Sequence, residues 1–397
     1  MEKQEEAQEM GQSIAKLVNR EIIPWLKIRA HNELIPDSII SQLKSMGLFG
    51  VNIPDEYGGS GLGSQSIARI VRELSRGSIA FASLIFSHCK VNSYLCNGGT
   101  DEQKCQWLPK LASGEVIAAH ALTESTGKAV ANFTTTIWED GDRLVLDGCK
   151  SFVTNAATAG LYAVVAKREG QEGSLCSIAL IKNDTVGLTI GKEIERIGLQ
   201  EVSLAPIVLS DCYVAKKDIL GGWDKDAASL LACVRPAARL NYVARAAGIA
   251  VRAFEEANTF VHNKYSGQRL LIDIPMVRLR LAEMRAKVSC IDMILRDLSR
   301  QLEEGKVEMI DASAAKVYCT KTAGEVVRSA VELHGGSGYA SNLPIGKLYR
   351  DVEALSIVGT PNDIILSDIS DILLGLEASG SEITVGIALC KGGHYEY

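Results

Sequence analysis

The amino-acid sequence predicts an α+β protein of several domains, in which helical N-terminal and C-terminal parts flank a middle part of short β-strands. Three observations support this prediction. The chain has 397 residues, a length that favours two or three domains. Its composition, 47% hydrophobic and 23% charged, is that of an ordinary globular protein. The spacing of its apolar residues changes near residues 118 and 226, from helical to alternating and back to helical.

Composition and charge exclude several classes of protein. Lys and Arg number 42 against 48 for Asp and Glu, a net charge of −6 with no basic run, so we expect no nucleic-acid partner. The ten cysteines contain no CxxC pair, so we expect no metal site. The polar, acidic start is unlike a secretory signal, and no apolar run is long enough to span a bilayer. We therefore expect a reduced, cytoplasmic protein with no membrane partner.

The N-terminal part, residues 1–117, is predicted to be a series of helices. Pro36, followed by cap-type residues, begins one helix, and Gly47 ends it. Residues 52–63 are dense in Gly and Pro, which predicts a loop. The helical spacing is clearest at residues 14–18, 39–43, 67–74 and 79–95.

The middle part, residues 118–225, has the pattern of a small β-sandwich or barrel. Turn residues separate short runs of alternating or continuously apolar residues. The predicted strands lie at residues 143–148, 161–166, 177–181 and 205–209. About 100 residues of short strands suffice for one sheet domain.

The C-terminal part, residues 226–376, returns to helical spacing. The stretch from Arg278 to Leu302 is long and amphipathic, and another helix is predicted from Val317 to Leu333. Residues 377–397 are rich in Gly and are predicted to be a tail.

Four segments carry candidate chemistry, although each has an ordinary structural explanation on its own. Thr154 and Asn155 are typical turn residues, Gly335 is typical of a helix C-cap, and Arg350 with Asp351 could form a surface ion pair. The segments are residues 121–125 (ALTES), 150–155 (KSFVTN), 334–339 (HGGSGY), and 349–351 (YRD) with 357–360 (IVGT).

The order and spacing of these segments resemble the acyl-CoA dehydrogenase family. The resemblance runs from about Leu48 to Ile369 and includes residues 47–54 (GLFGVNIP), 57–63 (YGGSGLG) and 107–115 (WLPKLASGE). It implies an N-terminal helical domain, a middle β-domain and a C-terminal four-helix bundle. It also implies bound FAD and assembly as a homodimer or homotetramer.

The resemblance assigns roles to residues beside the FAD ring. His120, Leu122 and Thr123 match the segment along the pyrimidine edge of the flavin. Phe152 matches the aromatic residue packed beside it, and Thr154 matches the hydroxyl that donates to flavin N5. In such enzymes the protein orients the cofactor and tunes its electronic properties.

The match is weaker along the rest of the cofactor. Lys264 stands where the family usually has an Arg for the phosphates, and it lacks the bidentate fork of a guanidinium. Glu332 stands where a Gln usually hydrogen-bonds FAD, and Ser125 replaces a Pro. The residues that keep adenine-side and ribose-side matches are Gly335, Gly336, Thr360 and Asn362.

The family's catalytic base is absent from both of its known positions. At the first position the usual Glu precedes a Gly-Thr pair, and this chain has Val358 and Gly359 there. At the second position this chain has Ala238. General-base catalysis contributes about 10²–10⁴-fold, so the loss matters. Glu353 or Asp363 could serve instead, although both have an ordinary explanation as solvent-facing or capping charges. The substrate could also need no strong base, or dehydrogenation could have given way to oxygen chemistry.

Taken together, the resemblance implies an FAD-dependent oxidoreductase that removes two hydrogens from an acyl thioester. The carrier would be coenzyme A or an acyl carrier protein, and the electron acceptor another protein or oxygen. Arg239 matches a position near the pantetheine arm of the substrate. The altered active site favours a role in specialised metabolism. The alternatives are a flavin-dependent monooxygenase or oxidase, and a pseudoenzyme.

Overall fold

The computed structural model describes residues 2–376, apart from residues 31, 128, 171–174 and 341–342, and for residues 2–7 it describes the backbone alone. The tail predicted for residues 377–397 therefore lies outside the described residues. Among the helices that are described, none has the length and apolar character needed to cross a membrane.

Six α-helices and a π-helical turn at Val18–Ile22 form the N-terminal part. A left-handed Gly47 ends the third helix, as predicted. Ser78 and Thr100 cap the fifth and sixth helices with their side chains, the latter in a capping box with Gln103. The helices are α1 (Glu2–Leu17), α2 (Ile23–Ile28), α3 (Asp37–Ser45), α4 (Ser64–Gly77), α5 (Ile79–Gly98) and α6 (Asp101–Ala112).

A seven-stranded mixed sheet forms the middle part. Its strands are β1 (Ala118–Ala121), β2 (Thr136–Asp140), β3 (Arg143–Thr154), β4 (Leu161–Arg168), β5 (Cys176–Lys182), β6 (Leu188–Ile190) and β7 (Leu204–Val214). The order is β1-β4-β2-β3-β7-β6, with β5 also paired to β4. Strand β4 is parallel to β1 and β2, and the other pairs are antiparallel.

Strand β4 lies at the centre of the sheet and is buried on both faces. Leu161, Ala163 and Val165 face a core shared with the helices α5 and α6, whereas Tyr162 and Val164 face the core inside the sheet domain. This explains why the sequence of β4 is continuously apolar rather than alternating.

Four long helices make up most of the C-terminal part. They are α8, α9, α10 and α12 in the series α7 (Ala228–Cys233), α8 (Arg235–Asn263), α9 (Pro275–Glu303), α10 (Met309–Leu333), α11 (Gly336–Tyr339), α12 (Pro344–Ile357) and α13 (Asn362–Leu373). A short hairpin, β8 (Tyr265–Ser266) and β9 (Arg269–Leu270), joins α8 to α9. Helix α8 is central, because α4 packs so closely on it that a Cβ at Gly248 would lie 2.3 Å from the carbonyl oxygen of Arg72.

The helical, sheet and helical parts agree with the predicted fold class, and one core joins the two helical parts. Two details differ from the predictions. The segment from Lys150 to Thr154 belongs to β3 instead of following it, because bulges let the strand continue past Gly148. The Arg350–Asp351 surface pair does not form; Asp351 is buried, pairs with Lys347 and accepts a hydrogen bond from the amide of Leu199.

Candidate functional site

At the C-terminal end of β3, a residue with an exposed aromatic ring has a strained backbone conformation. The register against β7 shifts between Lys150 and Val153, which marks a β-bulge. Phe152 lies in this bulge with φ +53°, and its side chain is 59% exposed. Non-glycine residues in the left-handed region cost about 1–3 kcal/mol and cluster at functional sites. The strain at Phe152 therefore marks this strand end as a candidate binding surface.

A buried ion pair fixes the segment that runs beside this strand end. The ammonium of Lys150 donates to Oε1 of Glu124 at 2.6 Å and to the carbonyl of Leu122 at 3.2 Å. Both charged side chains are almost completely buried. Burial lowers the pKa of Lys150 to about 8, although the neighbouring Glu124 acts to raise it. The pKa of Glu124 is also lowered, because burial acts to raise it but the hydrogen bonds from Lys150 and Thr134 together have the larger effect.

The predicted residues His120, Leu122 and Thr123 lie along the clamped segment. The amide of Ser151 donates to the carbonyl of Thr123 at 2.7 Å, which joins this segment to β3. His120 lies 3.1 Å from the hydroxyl of Tyr94 through Nε2. The structure therefore brings His120, Leu122 and Thr123 next to the strand that carries Phe152 and Thr154.

Helix α5 covers the other side of Thr154. The hydroxyl of Ser87 donates to the carbonyl of Thr154 at 3.4 Å, whereas the Thr154 hydroxyl has no hydrogen bond to the described part of the chain. The next residue, Asn155, is buried with φ +67° and donates to the carbonyls of Leu84 and Ala118. Its Oδ1 has no hydrogen-bond partner among the described residues. An unpaired buried acceptor beside a half-buried hydroxyl is unusual in a packed core.

A second group of predicted residues lies between α8, α10 and α13. Arg239 donates to the hydroxyl of Thr360 at 3.2 Å. Lys316 donates to the carbonyl of Thr360 and to Oδ1 of Asn362, each at 2.8 Å. All four side chains are buried. The structure thus joins Arg239, predicted near the substrate, to Thr360 and Asn362, predicted near the cofactor.

An aromatic ring packs against the glycine that follows the position of the missing base. Helix α12 ends at Ile357, and Gly359 follows with φ +75°. A Cβ at Gly359 would lie 2.5–2.6 Å from ring atoms of Tyr242, on α8. The half-buried neighbour Val358 has no proton-accepting group, and Ala238 on α8 has none either. A side chain at position 359 would therefore require the end of the Tyr242 ring to move.

The two substitute carboxylates have different surroundings. Glu353 is half-buried on α12, whereas Asp363 is exposed in the first turn of α13. A carboxylate in a first turn is stabilised by the helix dipole, which is the capping role considered for Asp363. Neither side chain has a hydrogen bond to another described residue. A catalytic role for either one stays a prediction.

The remaining predicted cofactor residues lie at the surface. Lys264 is exposed directly after α8. Glu332 on α10 pairs with Arg280 on α9 at 2.8 Å, and both side chains are about half exposed. Gly335 has φ +57° and joins α10 to α11, and a Cβ at Gly336 would meet no atom within 4 Å. Within one chain these residues form no common site with Thr154, so their cofactor contacts stay predictions.

Three family models together cover most of the chain. They are the acyl-CoA dehydrogenase N-terminal domain at residues 4–115, the middle domain at 119–212 and the C-terminal domain at 236–374. The chain belongs to the acyl-CoA dehydrogenase family. The predicted family and fold class are confirmed, and the enzyme class that membership indicates is an oxidoreductase. The exact domain boundaries stay predictions.

Curated relatives of this family member share less than a third of its residues. A 3-(aryl)acrylate reductase of Clostridium sporogenes is 29% identical over 81% of this chain and 86% of its own length. A (2S)-methylsuccinyl-CoA dehydrogenase of Cereibacter sphaeroides is 31% identical over 82% of this chain and 62% of its own length.

Solved structures of the family have the same fold. An acyl-CoA dehydrogenase from Geobacillus kaustophilus superimposes with a TM-score of 0.86 at 27% identity, covering 93% of this chain and 98% of that one. A glutaryl-CoA dehydrogenase from Mycobacterium smegmatis, solved with FADH2, gives 0.85 at 21% identity over 94% and 95% of the two chains. The prolyl acyl carrier protein oxidase AnaB gives 0.83 at 24% identity over 92% and 98%.

The strand end of this family member suits a flat ring with polar edges. Phe152 offers an exposed aromatic face, and the half-buried Thr154 offers a hydroxyl. The unpaired Oδ1 of Asn155 is a further polar atom beside them. A flavin is such a ring, and buried polar atoms without partners at a ligand site are explained by the ligand.

Sequence reasoning missed three contributors to this site: Lys150 as the partner of Glu124, Tyr242 against Gly359, and Lys316 of α10, which donates to the carbonyl of Thr360. A signal existed for Lys150, since a lone Lys in a strand that continues into Phe152 and Val153 needs a buried partner. For Tyr242 and Lys316 the helical spacing indicates a face of the helix but not which loop covers it.

Proposed function

We propose that this family member is an FAD-dependent oxidoreductase that acts on an acyl thioester by α,β-dehydrogenation. The observation that carries the proposal is the strained bulge of β3, which holds the ring of Phe152 and the hydroxyl of Thr154 at one strand end. FAD is the cofactor of this family, and when bound it supplies the acceptor for the hydride. Strain kept at such a site is explained by a ligand that uses the conformation.

The chain's own residues then have separate tasks. Lys150 and Glu124 hold the segment of Leu122 and Thr123 against β3, so its backbone groups are fixed before a ligand arrives. Thr154 would donate a hydrogen bond to the reactive edge of the ring, and Phe152 would pack beside it. Arg239, anchored on Thr360, would lie near the carrier arm of the substrate.

The proton on the α-carbon needs an acceptor other than the usual family base. Val358 and Ala238 carry no proton-accepting group, so neither family position accepts a proton. The α-proton then goes to a carboxylate on α12 or α13, with Glu353 and Asp363 as candidates, or the substrate is acidic enough to release it without a strong base. Either case favours an unusual acyl group, which supports a role in specialised metabolism.

The carrier is coenzyme A or an acyl carrier protein. The names of the relatives support both, since one acts on a coenzyme A thioester and AnaB on an acyl carrier protein. The electron acceptor is another protein or oxygen. Assembly as a homodimer or homotetramer completes the phosphate end of the cofactor site, where Lys264 is exposed in the single chain.

The experiment is anaerobic titration of the purified flavoprotein with acyl thioesters. Loss of the oxidised flavin spectrum supports dehydrogenation, whereas rapid oxygen uptake with an oxygenated product supports a monooxygenase or oxidase. A colourless protein that FAD cannot restore would indicate a pseudoenzyme and refute the proposal.

Substitution of Thr154→Val tests the contact at the reactive edge. Loss of the hydroxyl should lower the flavin reduction potential, because a hydrogen bond to the reactive nitrogen tunes the ring, while the fold is kept. The matched control is Thr158→Val, four residues along, whose hydroxyl donates only to the carbonyl of Asn155. An unchanged potential in Thr154→Val would contradict the proposed contact.

A further inference from the structure

Helix α8 carries a buried guanidinium that makes few hydrogen bonds to the described residues. Arg245 is only 4% exposed. Its single hydrogen bond to the described residues runs from Nη2 to the carbonyl of Ala82 on α5, at 3.3 Å. Its Nε is buried without a hydrogen-bond partner, and no described carboxylate pairs with it. Since a guanidinium has five donors, most of the hydrogen-bonding capacity of Arg245 is unused by the described chain.

Aromatic rings complete the surroundings of this guanidinium. The Cζ atom of Arg245 lies 5.0 Å from the ring centroid of Phe86 and 5.5 Å from that of Tyr242. These rings also contact each other edge-on, with centroids 6.1 Å apart. Cation–π contacts contribute only about 0.5–2 kcal/mol each, which is less than the several kcal/mol lost when an ion leaves water. Burial accordingly lowers the pKa of Arg245 to about 10.

Two other buried cations of the described chain pair with carboxylates, and the buried Lys316 donates instead to a carbonyl and an amide oxygen. Arg252, two turns further along α8 on the same face, pairs with Glu256, and Lys150 pairs with Glu124. A buried charge left without a partner is rare unless a ligand supplies one. The contrast between Arg252 and Arg245 on one helix face indicates that the partner of Arg245 comes from outside the chain.

The position of Arg245 ties it to the proposed active site. Tyr242, one of its two rings, packs against Gly359, which follows Val358 at the position of the missing base. Phe86, the other ring, precedes Ser87, which donates to the carbonyl of Thr154. Arg245 therefore lies against two rings, of which one contacts Gly359 and the other belongs to the residue before Ser87, the partner of Thr154.

We propose that Arg245 binds a carboxylate carried by the acyl group of the substrate, so that the substrate class is a short acyl thioester with an anionic end. This inference rests on the proposed function. A carboxylate accepts two parallel hydrogen bonds from a guanidinium, and the pair is strong where water is excluded. Phe86 and Tyr242 exclude water and limit the length of the chain that fits before the carboxylate.

The test measures binding separately from redox chemistry. Calorimetric titration of the FAD-loaded protein compares glutaryl-CoA with pentanoyl-CoA and succinyl-CoA with butyryl-CoA, each pair matched in chain length, and repeats them on pantetheine. The wild-type protein should bind the carboxylate member at least tenfold more tightly. Arg245→Met should lose that preference by about tenfold to a hundredfold, and Arg245→Lys should keep part of it. The control, Arg252→Met, should keep the preference unchanged.

The outcomes separate this inference from the proposed function. Equal binding of both members by the wild-type protein, or a preference that Arg245→Met leaves intact, overturns the inference even when pentanoyl-CoA bleaches the flavin. An Arg245-dependent preference without any bleaching supports the inference while dehydrogenation fails. A stability measurement adds a second readout: Arg245→Met should raise the thermal midpoint of the substrate-free protein, because it removes an unpaired buried charge, whereas Arg252→Met should lower it. A lowered midpoint in Arg245→Met would show a structural role and count against the inference.

Discussion

The buried pair of Lys150 and Glu124 gives a sharp prediction for Lys150→Met. The substitution removes the hydrogen bonds to Glu124 and Leu122, together with a cation–π contact to Phe133 at 3.8 Å. It leaves the carboxylate of Glu124 buried without a counter-charge. Breaking such a pair by removing one partner costs about 3–5 kcal/mol.

The structure places the expected cost at the lower end of this range. Glu124 still accepts hydrogen bonds from the amide and the hydroxyl of Thr134 and from the amide of Thr135, at 2.6, 2.8 and 3.2 Å. We therefore expect a loss of about 3 kcal/mol. At roughly 2 °C per kcal/mol for a long chain, the thermal midpoint should fall by about 6 °C. Because the pair holds Leu122 and Thr123, flavin should be released at a lower temperature as well.

The assay is thermal unfolding of the FAD-loaded protein, followed by circular dichroism and by the fluorescence of released flavin. The matched control is Lys167→Met on β4. Among the described residues, the ammonium of Lys167 donates only to the carbonyl of Ala131, at 3.4 Å, so this variant should lose less than about 1 kcal/mol of the free energy of unfolding. Adding Glu124→Gln to Lys150→Met removes the orphaned charge and should recover part of the loss. A loss below about 1 kcal/mol in Lys150→Met, or a double variant that is less stable than Lys150→Met, would refute the reasoning.

Three other predictions follow from single residues. Burial lowers the pKa of His88 from 6.5 to about 4. The free energy of unfolding is therefore highest above pH 6.5 and should fall by roughly 3 kcal/mol as the pH falls toward 4, because the unfolded chain binds the proton more readily. Urea titrations should show this loss in the wild-type protein and a smaller loss in His88→Gln. Gly359→Ala places a Cβ against the ring of Tyr242 and should lower the thermal midpoint, and the same substitution should cost less in a Tyr242→Ala background; an equal cost in both backgrounds would show that the ring is not the cause. Phe152→Gly should relieve the positive φ and stabilise the FAD-free protein by about 1 kcal/mol while weakening FAD binding, and tighter binding would contradict the assigned role of the ring.

The sequence predicts the broad fold well because its apolar spacing is set by local geometry. The continuous apolar run at Leu161 predicts a buried strand, and β4 is buried on both faces. Gly47 predicts the end of α3, and its left-handed backbone ends that helix. Each of these signals depends on a few neighbouring residues, so no knowledge of the rest of the fold is needed.

The missed features depend on contacts between distant segments. The strand at Lys150 continues past Gly148 only because β7 accepts the bulge, and periodicity alone ends the strand there. Asp351 is buried because Lys347 and the amide of Leu199 satisfy it, and the second of these lies 152 residues away. The family resemblance indicates which residues can bind the cofactor. It does not indicate that Glu124 fixes their segment or that no described carboxylate pairs with Arg245, because both depend on contacts between segments far apart in the sequence.

The tight fit of Tyr242 against Gly359 also couples two parts of the chain. A Cβ at position 359 would lie 2.5–2.6 Å from the end of the ring, so any residue larger than glycine there requires the ring to shift. The same ring lies against the guanidinium of Arg245, so a shift of the ring also changes the surroundings of that buried charge. The effects of substitutions at positions 242, 245 and 359 are therefore expected to be non-additive.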